Sequence, residues 1–210
     1  MNEPDTTKPI IFYFDPISPF GYLGSVQIER FAKAHNRQVE WRPILIGVTI
    51  VKVMGLRPLP ETPLKGDYLR RDIVRLSEYF DIPYQHHGLK GISSVNALRA
   101  FVFLNEEDHR VAKLFAQRIF DRLWVRHLNI SNVDDVLEEA GAIGVDTTTL
   151  QAAISSEPVK TLLKQKIDDA IAAGVFGAPF FVVDGEPIWG VDRMWMIEQW
   201  ITHHSWSGRA

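Results

Sequence analysis

The chain has 210 residues, 46% of them hydrophobic and 23% charged, which predicts a folded domain with a substantial core and argues against global disorder. A net charge of −3 provides no basic surface for nucleic acid or for an anionic membrane. There is no cysteine, which excludes disulfides, thiolate metal sites and redox exchange by the protein's own side chains.

The ends of the sequence and its hydropathy bear on where the protein works. No apolar run is long enough to span a bilayer. The first residues, MNEPDTTKPI, lack the basic start and apolar stretch of a signal peptide. We therefore expect a soluble cytoplasmic protein without membrane partners.

The first elements predict a βαβ unit. Residues 10–14 (IIFYF) form a short β-branched and aromatic run, typical of a buried strand. Apolar residues then recur at helical spacing from 20 to 34, and residues 39–45 (VEWRPIL) read as a second strand. Pro43 indicates an edge or an end of that strand, because proline cannot donate to a ladder.

The middle of the chain predicts helices and no strand between about 46 and 174. Residues 56–64 contain three prolines and are expected to form an extended loop. Five segments after this loop have helical character: 65–80, 94–105, 109–127, 132–140 and 146–173.

The last stretch returns to strands. Residues 180–183 (FFVV) and 186–189 (EPIW) flank Asp184-Gly185, a pattern that predicts a hairpin with a tight turn. Residues 193–203 have the pattern of a closing amphipathic helix. The predicted order is therefore βαβ, a helical insert, and ββα.

Ser18 stands between the first strand and the first helix. The simpler interpretation is a helix N-cap followed by Pro19 at the first helical position. The functional interpretation is that the Ser18 hydroxyl and the free N–H groups of the helix stabilise an anion such as a thiolate. The local pattern is compatible with both.

Two later positions also have a structural and a functional interpretation. Pro179 either starts a strand as an ordinary trans proline, or is cis and turns Ala178 toward a ligand. Asp192 is placed to cap the last helix, and its carboxylate could also meet a ligand ammonium group. Both roles of Asp192 are compatible, because a cap uses only part of a carboxylate's acceptor capacity.

Other chemistries lack their motifs. The seven histidines form no HExxH or comparable ligand set, so no metal is expected. There is no GxGxxG and no P-loop to support nucleotide binding. Ser18 has no GxSxG elbow and no evident histidine partner, which argues against an acyl-transfer nucleophile.

Three segments resemble one family: FYFDPISPFGYLG, VEWRPILIG and AIAAGVFGAPFFVVDGEPIWGVDR. In these motifs and in the helical insert the chain resembles 2-hydroxychromene-2-carboxylate isomerases, which belong with kappa-class glutathione transferases and, more distantly, with the DsbA oxidoreductases. The resemblance implies an α/β, thioredoxin-like fold with a large all-helical insertion. It assigns residues 1–45 and 174–210 to a discontinuous thioredoxin-like domain and residues 46–173 to the insertion.

The resemblance also implies a glutathione site. Ser18, at the place of an oxidoreductase's first cysteine, corresponds to the catalytic serine that holds the glutathione thiolate. Ala178, before a cis Pro179, would pair its backbone with the cysteinyl part of glutathione. The segment Val191-Asp192-Arg193 would hold the γ-glutamyl end, chiefly through Asp192.

The substrate pocket and the assembly follow from the same resemblance. Lys52 and Leu56 lie in the segment that lines the pocket for a small aromatic substrate, and a homodimer is expected. Two positions depart from the family: Leu56 follows Gly55 where asparagine is frequent, and Val191 replaces serine or asparagine. Losing two side-chain hydrogen bonds would weaken glutathione binding by roughly one to two orders of magnitude.

The expected activity is a glutathione-dependent cis-trans isomerisation of an aromatic-degradation intermediate, by reversible thiolate addition. A first alternative is a kappa-like transferase that conjugates glutathione to electrophiles. A second is a non-catalytic binding protein of the DsbA fold, which the departures at Leu56 and Val191 would favour.

Overall fold

A four-stranded mixed sheet forms the centre of the protein in a computed structural model that describes residues 8–86, 88 and 91–207. Residues 1–7 and 208–210 of the predicted thioredoxin-like domain lie outside this description. The strands are β1 (Ile10–Phe14), β2 (Val39–Pro43), β3 (Phe180–Val183) and β4 (Glu186–Trp189), in the spatial order β2-β1-β3-β4. β2 is parallel to β1, whereas β3 is antiparallel to β1 and to β4.

Alternation along β1 separates two apolar layers. Phe12 is fully buried on one face, where its ring centroid lies 5.4 Å from that of Phe181 and 4.9 Å from that of Trp41. Tyr13 points to the other face and packs with Phe180 in a second, smaller cluster. The continuous apolar sequence of β1 is therefore explained by burial on both faces.

The helices are bounded as follows: α1 Pro19–Ala34, α2 Lys65–Tyr79, α3 Val95–Glu107, α4 His109–Trp124, α5 Val133–Gly141, α6 Thr147–Ser155, α7 Glu157–Ala172 and α8 Met194–His203. Within the described residues no strand occurs between β2 and β3, as predicted. The six helices from α2 to α7 therefore lie in the sequence between β2 and β3. They separate the β1-β2 pair of the sheet from the β3-β4 pair along the chain. The division into a discontinuous domain and an insertion at 46–173 stays a prediction.

The predicted helix at 146–173 is wrong as a single element. The structure divides it into α6 and α7 at Ser156, whose backbone is extended with ψ 148°. Ser156 Oγ accepts the Val159 N–H at 3.4 Å, and Pro158 in the first turn has no N–H to continue the preceding helix. The apolar period runs through both helices, so it did not reveal the break.

Other predicted boundaries shift by a few residues. β2 ends at Pro43 rather than at 45, and α4 ends at Trp124 rather than at 127. The proline-rich loop at 56–64 contains one short 3₁₀ turn, Leu59–Glu61. Before it lies a π-helix, Gly47–Val53, which the sequence did not predict because π-helices have no distinct period of their own.

Gly24 allows α1 to pack closely against Pro179. A Cβ built on Gly24 would lie 2.8 Å from the Pro179 Cβ, closer than side chains tolerate. We expect Gly24→Ala to lower the free energy of unfolding by about 2 kcal/mol through overpacking. Chemical denaturation measures this effect, and Gly47→Ala, where an added Cβ meets nothing within 4 Å, is the control. Equal stability of both variants would contradict the close contact.

No helix in the described part of the chain combines the length and the hydropathy needed to cross a membrane.

Candidate active site

Ser18 caps α1 and also reaches a residue distant in the sequence. Its Oγ accepts the Gly21 N–H at 3.0 Å, and Pro19 occupies the first helical position, which confirms the N-cap prediction. The Ser18 hydroxyl also donates to the Ala178 carbonyl at 2.8 Å. Ser18 is only 5% exposed, so both bonds are made at the edge of the core.

The loop before β3 contacts the turn of residues 15–18, called the Ser18 turn below. The Ala178–Pro179 peptide bond is cis, as the resemblance predicts. Pro179 O accepts the Gly190 N–H at 3.1 Å, which joins this loop to the turn after β4. The structure thus brings Ser18, Ala178, Pro179 and the Gly190 turn to one end of the sheet.

Asp192 lies on this turn but does not cap the last helix, so that prediction is wrong. α8 begins at Met194, its N-cap is Arg193, and the Arg193 side chain makes no capping hydrogen bond. The Asp192 carboxylate instead folds back over Gly190, where a Cβ would lie 2.4 Å from Asp192 Oδ1. Asp192 remains more than half exposed, and its only ion pair in the described region is a 3.4 Å contact with Arg193.

Val191 and Arg193 flank Asp192 in opposite environments. The Val191 side chain is buried in the main core, so only its backbone is available to a ligand. Arg193 Nη1 donates to Trp189 O at 3.0 Å, and its guanidinium carbon lies 5.9 Å from the centroid of the Trp189 ring. Arg193 therefore contacts Trp189 while remaining partly exposed.

Two exposed aromatic side chains border the Ala178 loop, and the sequence analysis missed them. The Phe176 and Trp189 ring centroids are 5.1 Å apart, and both rings are two-fifths or more exposed. The Trp189 indole lies against Gly177, beside Ala178. The sequence signal for this pair was the position of Phe176, two residues before Ala178, and of Trp189, directly before Gly190.

Lys52 and Leu56 lie on a different segment from the other predicted site residues. Both are exposed, Lys52 at the end of the π-helix and Leu56 in the loop that follows. Among the described residues, no hydrogen bond or ion pair joins either of them to Ser18, Ala178 or Asp192. Their assignment to the substrate pocket stays a prediction.

Asp15 makes hydrogen bonds both to the turn before Ser18 and to Ile46, at the start of the segment that carries Lys52 and Leu56. The sequence analysis did not identify it. It is fully buried; Oδ1 accepts the Ile17 N–H at 3.2 Å and Oδ2 accepts the Ile46 N–H at 2.9 Å. Burial raises the pKa of the Asp15 carboxyl to about 6, against the opposing effect of its hydrogen bonds. A carboxylate at the end of a continuous apolar strand was the signal for a buried acid.

A second buried contact holds the same turn. Trp124 Nε1 at the end of α4 donates to Pro16 O at 2.8 Å, across 108 residues of sequence. Trp124 is itself 1% exposed. The Ser18 turn is therefore fixed from the helical region as well as from the sheet.

The electrostatics of the α1 N-terminus suit an anion. The first turn contains no acidic residue, and the first N–H groups of a helix carry a partial positive charge. Among the described residues, no group of three or more possible metal ligands is found. A cavity of about 240 Å³ lies elsewhere, beside β2, α3 and α7, and contains none of the predicted site residues.

Comparison with known proteins identifies relatives of this arrangement. A family model described as a DSBA-like thioredoxin domain matches residues 9–202. Glutathione S-transferase kappa 1 of Rattus norvegicus is 29% identical over 93% of this chain and 91% of its own. The 2-hydroxychromene-2-carboxylate isomerase of Sphingobium xenophagum is 27% identical over 93% and 98%. A solved 2-hydroxychromene-2-carboxylate isomerase shares the fold, with a TM-score of 0.81 and 22% identity over 94% and 96%.

Proposed function

The chain belongs to the family of DSBA-like thioredoxin domains, and from that membership we propose that it is a glutathione-dependent isomerase of the 2-hydroxychromene-2-carboxylate isomerase type. The observation that carries the proposal is the Ser18 hydroxyl at the N-terminus of α1, hydrogen-bonded to Ala178 O beside Pro179. Similarity to a named isomerase over nine-tenths of the chain supports the isomerase proposal, and similarity to kappa-class glutathione transferases supports the use of glutathione.

The residues at this helix terminus fit a thiolate. When bound, glutathione would supply the nucleophile that the cysteine-free chain lacks, adding reversibly to a conjugated carbonyl so that a double bond becomes single, rotates and re-forms. A free thiol has a pKa of about 8.5, and lowering it by two takes roughly 2.7 kcal/mol. The Ser18 hydroxyl and the helix N-terminus would provide that stabilisation.

Ser18 and Ala178 would exchange their mutual hydrogen bond for two bonds to the ligand. The Ser18 hydrogen now bonded to Ala178 O would turn toward the thiolate. Ala178 O would then accept an N–H from the peptide-like part of glutathione. Because leaving the partly buried Ala178 carbonyl unpaired would be unfavourable, the turn of the Ser18 hydroxyl toward the thiolate favours the bond from the ligand N–H to Ala178 O.

The remaining predicted residues take roles at the two ends of the ligand. Asp192, exposed on its turn, would meet the γ-glutamyl ammonium group, with the Val191 backbone and Arg193 beside it. Lys52 and Leu56 would line the pocket for the small aromatic substrate. The buried side chain of Val191 cannot contribute a contact there, so the departure at this position bears on binding only through the backbone.

Calorimetric titration of glutathione into the protein, in two buffers of different ionisation enthalpy, tests the proposal. We expect binding with proton release near neutral pH, and turnover of a chromene carboxylate only when glutathione is present. A product that retains glutathione would instead identify the transferase alternative, to which the similarity to kappa-class enzymes points. Absence of binding would overturn both and leave a non-catalytic binding protein.

We also propose that the protein is a homodimer that associates through the region from Val51 to Tyr79. Nine of the large apolar side chains that are exposed in the described residues lie in this region. Leu64, 89% exposed, is the N-cap residue of α2, and Tyr68, 60% exposed, lies in the first turn of that helix. Such a concentration of exposed apolar groups is typical of a contact surface.

The double variant Leu64→Asp, Tyr68→Asp tests this surface. We expect the wild type to sediment as two chains and the variant to dissociate at least roughly ten-fold more readily, because buried unpaired charges oppose association. Tyr68→Asp alone, at a residue inside α2, tests the same surface without a substitution at the strained Leu64 turn. Leu114→Asp, on exposed α4 surface, is the control. Equal dissociation of both variants, or a monomeric wild type, contradicts the proposal.

A further inference from the structure

The Asp15 carboxylate contacts both segments that carry predicted site residues. Its two oxygens accept the N–H groups of Ile17, next to Ser18, and of Ile46, at the start of the π-helix. Its backbone oxygen accepts the Ser18 N–H at 2.9 Å. One fully buried residue thus joins the Ser18 turn to the start of the π-helix that carries Lys52.

Apart from the packing of the Val48 side chain against the core, the π-helix has few other attachments. Thr49 is its only buried residue, and the Thr49 hydroxyl has no hydrogen-bond partner among the described residues. Lys52 and its neighbours Val51 and Val53 are exposed. Across the described residues, the bond from Ile46 N–H to Asp15 is the only hydrogen bond to a side chain made from 46 to 56.

A carboxylate at this place also acts on the helix terminus. Ile46 is the N-cap residue of the π-helix, and no side chain of its own segment caps it. Helix N-termini favour a negative charge that accepts their free N–H groups. Asp15 supplies that acceptor for the Ile46 N–H from the neighbouring turn, whereas the Val48 and Thr49 N–H groups bond to Leu45 O.

We propose that Asp15 is a positioning residue that fixes the π-helix, and Lys52 with it, relative to Ser18. The consequence for ligand binding rests on the proposed function. Asp15 does not touch the ligand in this account, because it is fully buried beneath the turn. Its effect passes through the Ile46 and Ile17 N–H groups.

Amide hydrogen exchange in the absence of any ligand tests the positioning. Asn at residue 15 offers one acceptor oxygen and turns an NH₂ group toward the other N–H, so Asp15→Asn breaks at least one of the two bonds. We expect amides of residues 46–54 to exchange roughly ten-fold faster in the variant relative to those of α5 and α6, whose exchange reports the change in global stability. The control Thr49→Val removes a hydroxyl without a hydrogen bond and leaves the Asp15 contacts intact. Unchanged exchange at 46–54 overturns the proposal.

A double-mutant cycle then tests the coupling to Lys52. We expect Lys52→Ala to weaken glutathione-dependent turnover several-fold in the wild type, chiefly in KM, and to have little further effect in Asp15→Asn. Equal effects in both backgrounds would show that Asp15 is only structural. If the wild type does not bind glutathione, the proposed function fails, whereas the exchange experiment still decides whether Asp15 positions the segment.

Discussion

Ser18→Ala is expected to lower glutathione-dependent kcat/KM by about 100-fold, the typical effect of removing one donor from a developing anion. The same change should raise the pKa of bound glutathione's thiol by about 1 to 2, because one charge-assisted hydrogen bond to the thiolate is lost. The helix N-terminus remains in the variant, so some thiolate stabilisation persists. The pH dependence of proton release in calorimetry measures the pKa, and steady-state kinetics measures the rate.

Ser156→Ala is the matched control for this experiment. Ser156 caps α7 as Ser18 caps α1: it accepts the Val159 N–H and donates to Ala153 O at 2.8 Å. Both variants lose a serine cap and should each lower the free energy of unfolding by about 1 kcal/mol. Only Ser18→Ala should change the thiol pKa. If both variants retain full turnover, Ser18 is a cap and nothing more.

The stability of the protein is expected to depend on pH through Asp15. The pKa of its carboxyl is raised from 3.8 to about 6 by burial, so the folded state binds this proton more tightly than the unfolded chain does. The stabilisation is fully present below the unfolded pKa and is lost as pH rises through about 6. The difference between the two pKa values corresponds to about 3 kcal/mol.

Asp15→Asn isolates this dependence, because the amide does not titrate. We expect the unfolding free energy of the wild type minus that of the variant to fall by about 2–3 kcal/mol between acidic and neutral pH. Denaturation curves at several pH values measure it. This pH dependence and the local loosening at 46–54 are separate readouts, since one reflects burial of charge and the other loss of a specific hydrogen bond.

For Asp146→Asn, we expect the unfolding free energy of the wild type minus that of the variant to rise, not fall, between acidic and neutral pH. Hydrogen bonds from Thr149 and from the Thr148 N–H lower the pKa of Asp146, which caps α6 at the surface. Its contribution to the free energy of unfolding is present above the unfolded pKa and is lost as pH falls.

For Asp15, a difference in unfolding free energy between wild type and Asp15→Asn that does not change with pH would contradict the prediction. It would mean that the Asp15 carboxyl is not protonated more readily in the folded state.

Much of the fold followed from short-range patterns. The run at 10–14, the hairpin around Asp184-Gly185 and the helical period of α1 each depend on neighbours within a few residues, and all three lie where predicted. The break at Ser156 did not follow, although Pro158 was a local signal, because the apolar period continued across it. The Asp192 cap failed because the Val191–Arg193 turn places α8 one residue beyond its reach.

The sequence by itself determined what this protein cannot do with its own side chains, since a chain without cysteine has no thiol. It also determined the residues that carry the family resemblance, because motifs such as SPFGYLG and FGAPFF are contiguous. The tertiary structure alone decided how those residues meet. The Ser18–Ala178 bond spans 160 residues and the Asp15–Ile46 bond spans 31. Neither leaves a local pattern, because each depends on how strands and helices pack after they have formed.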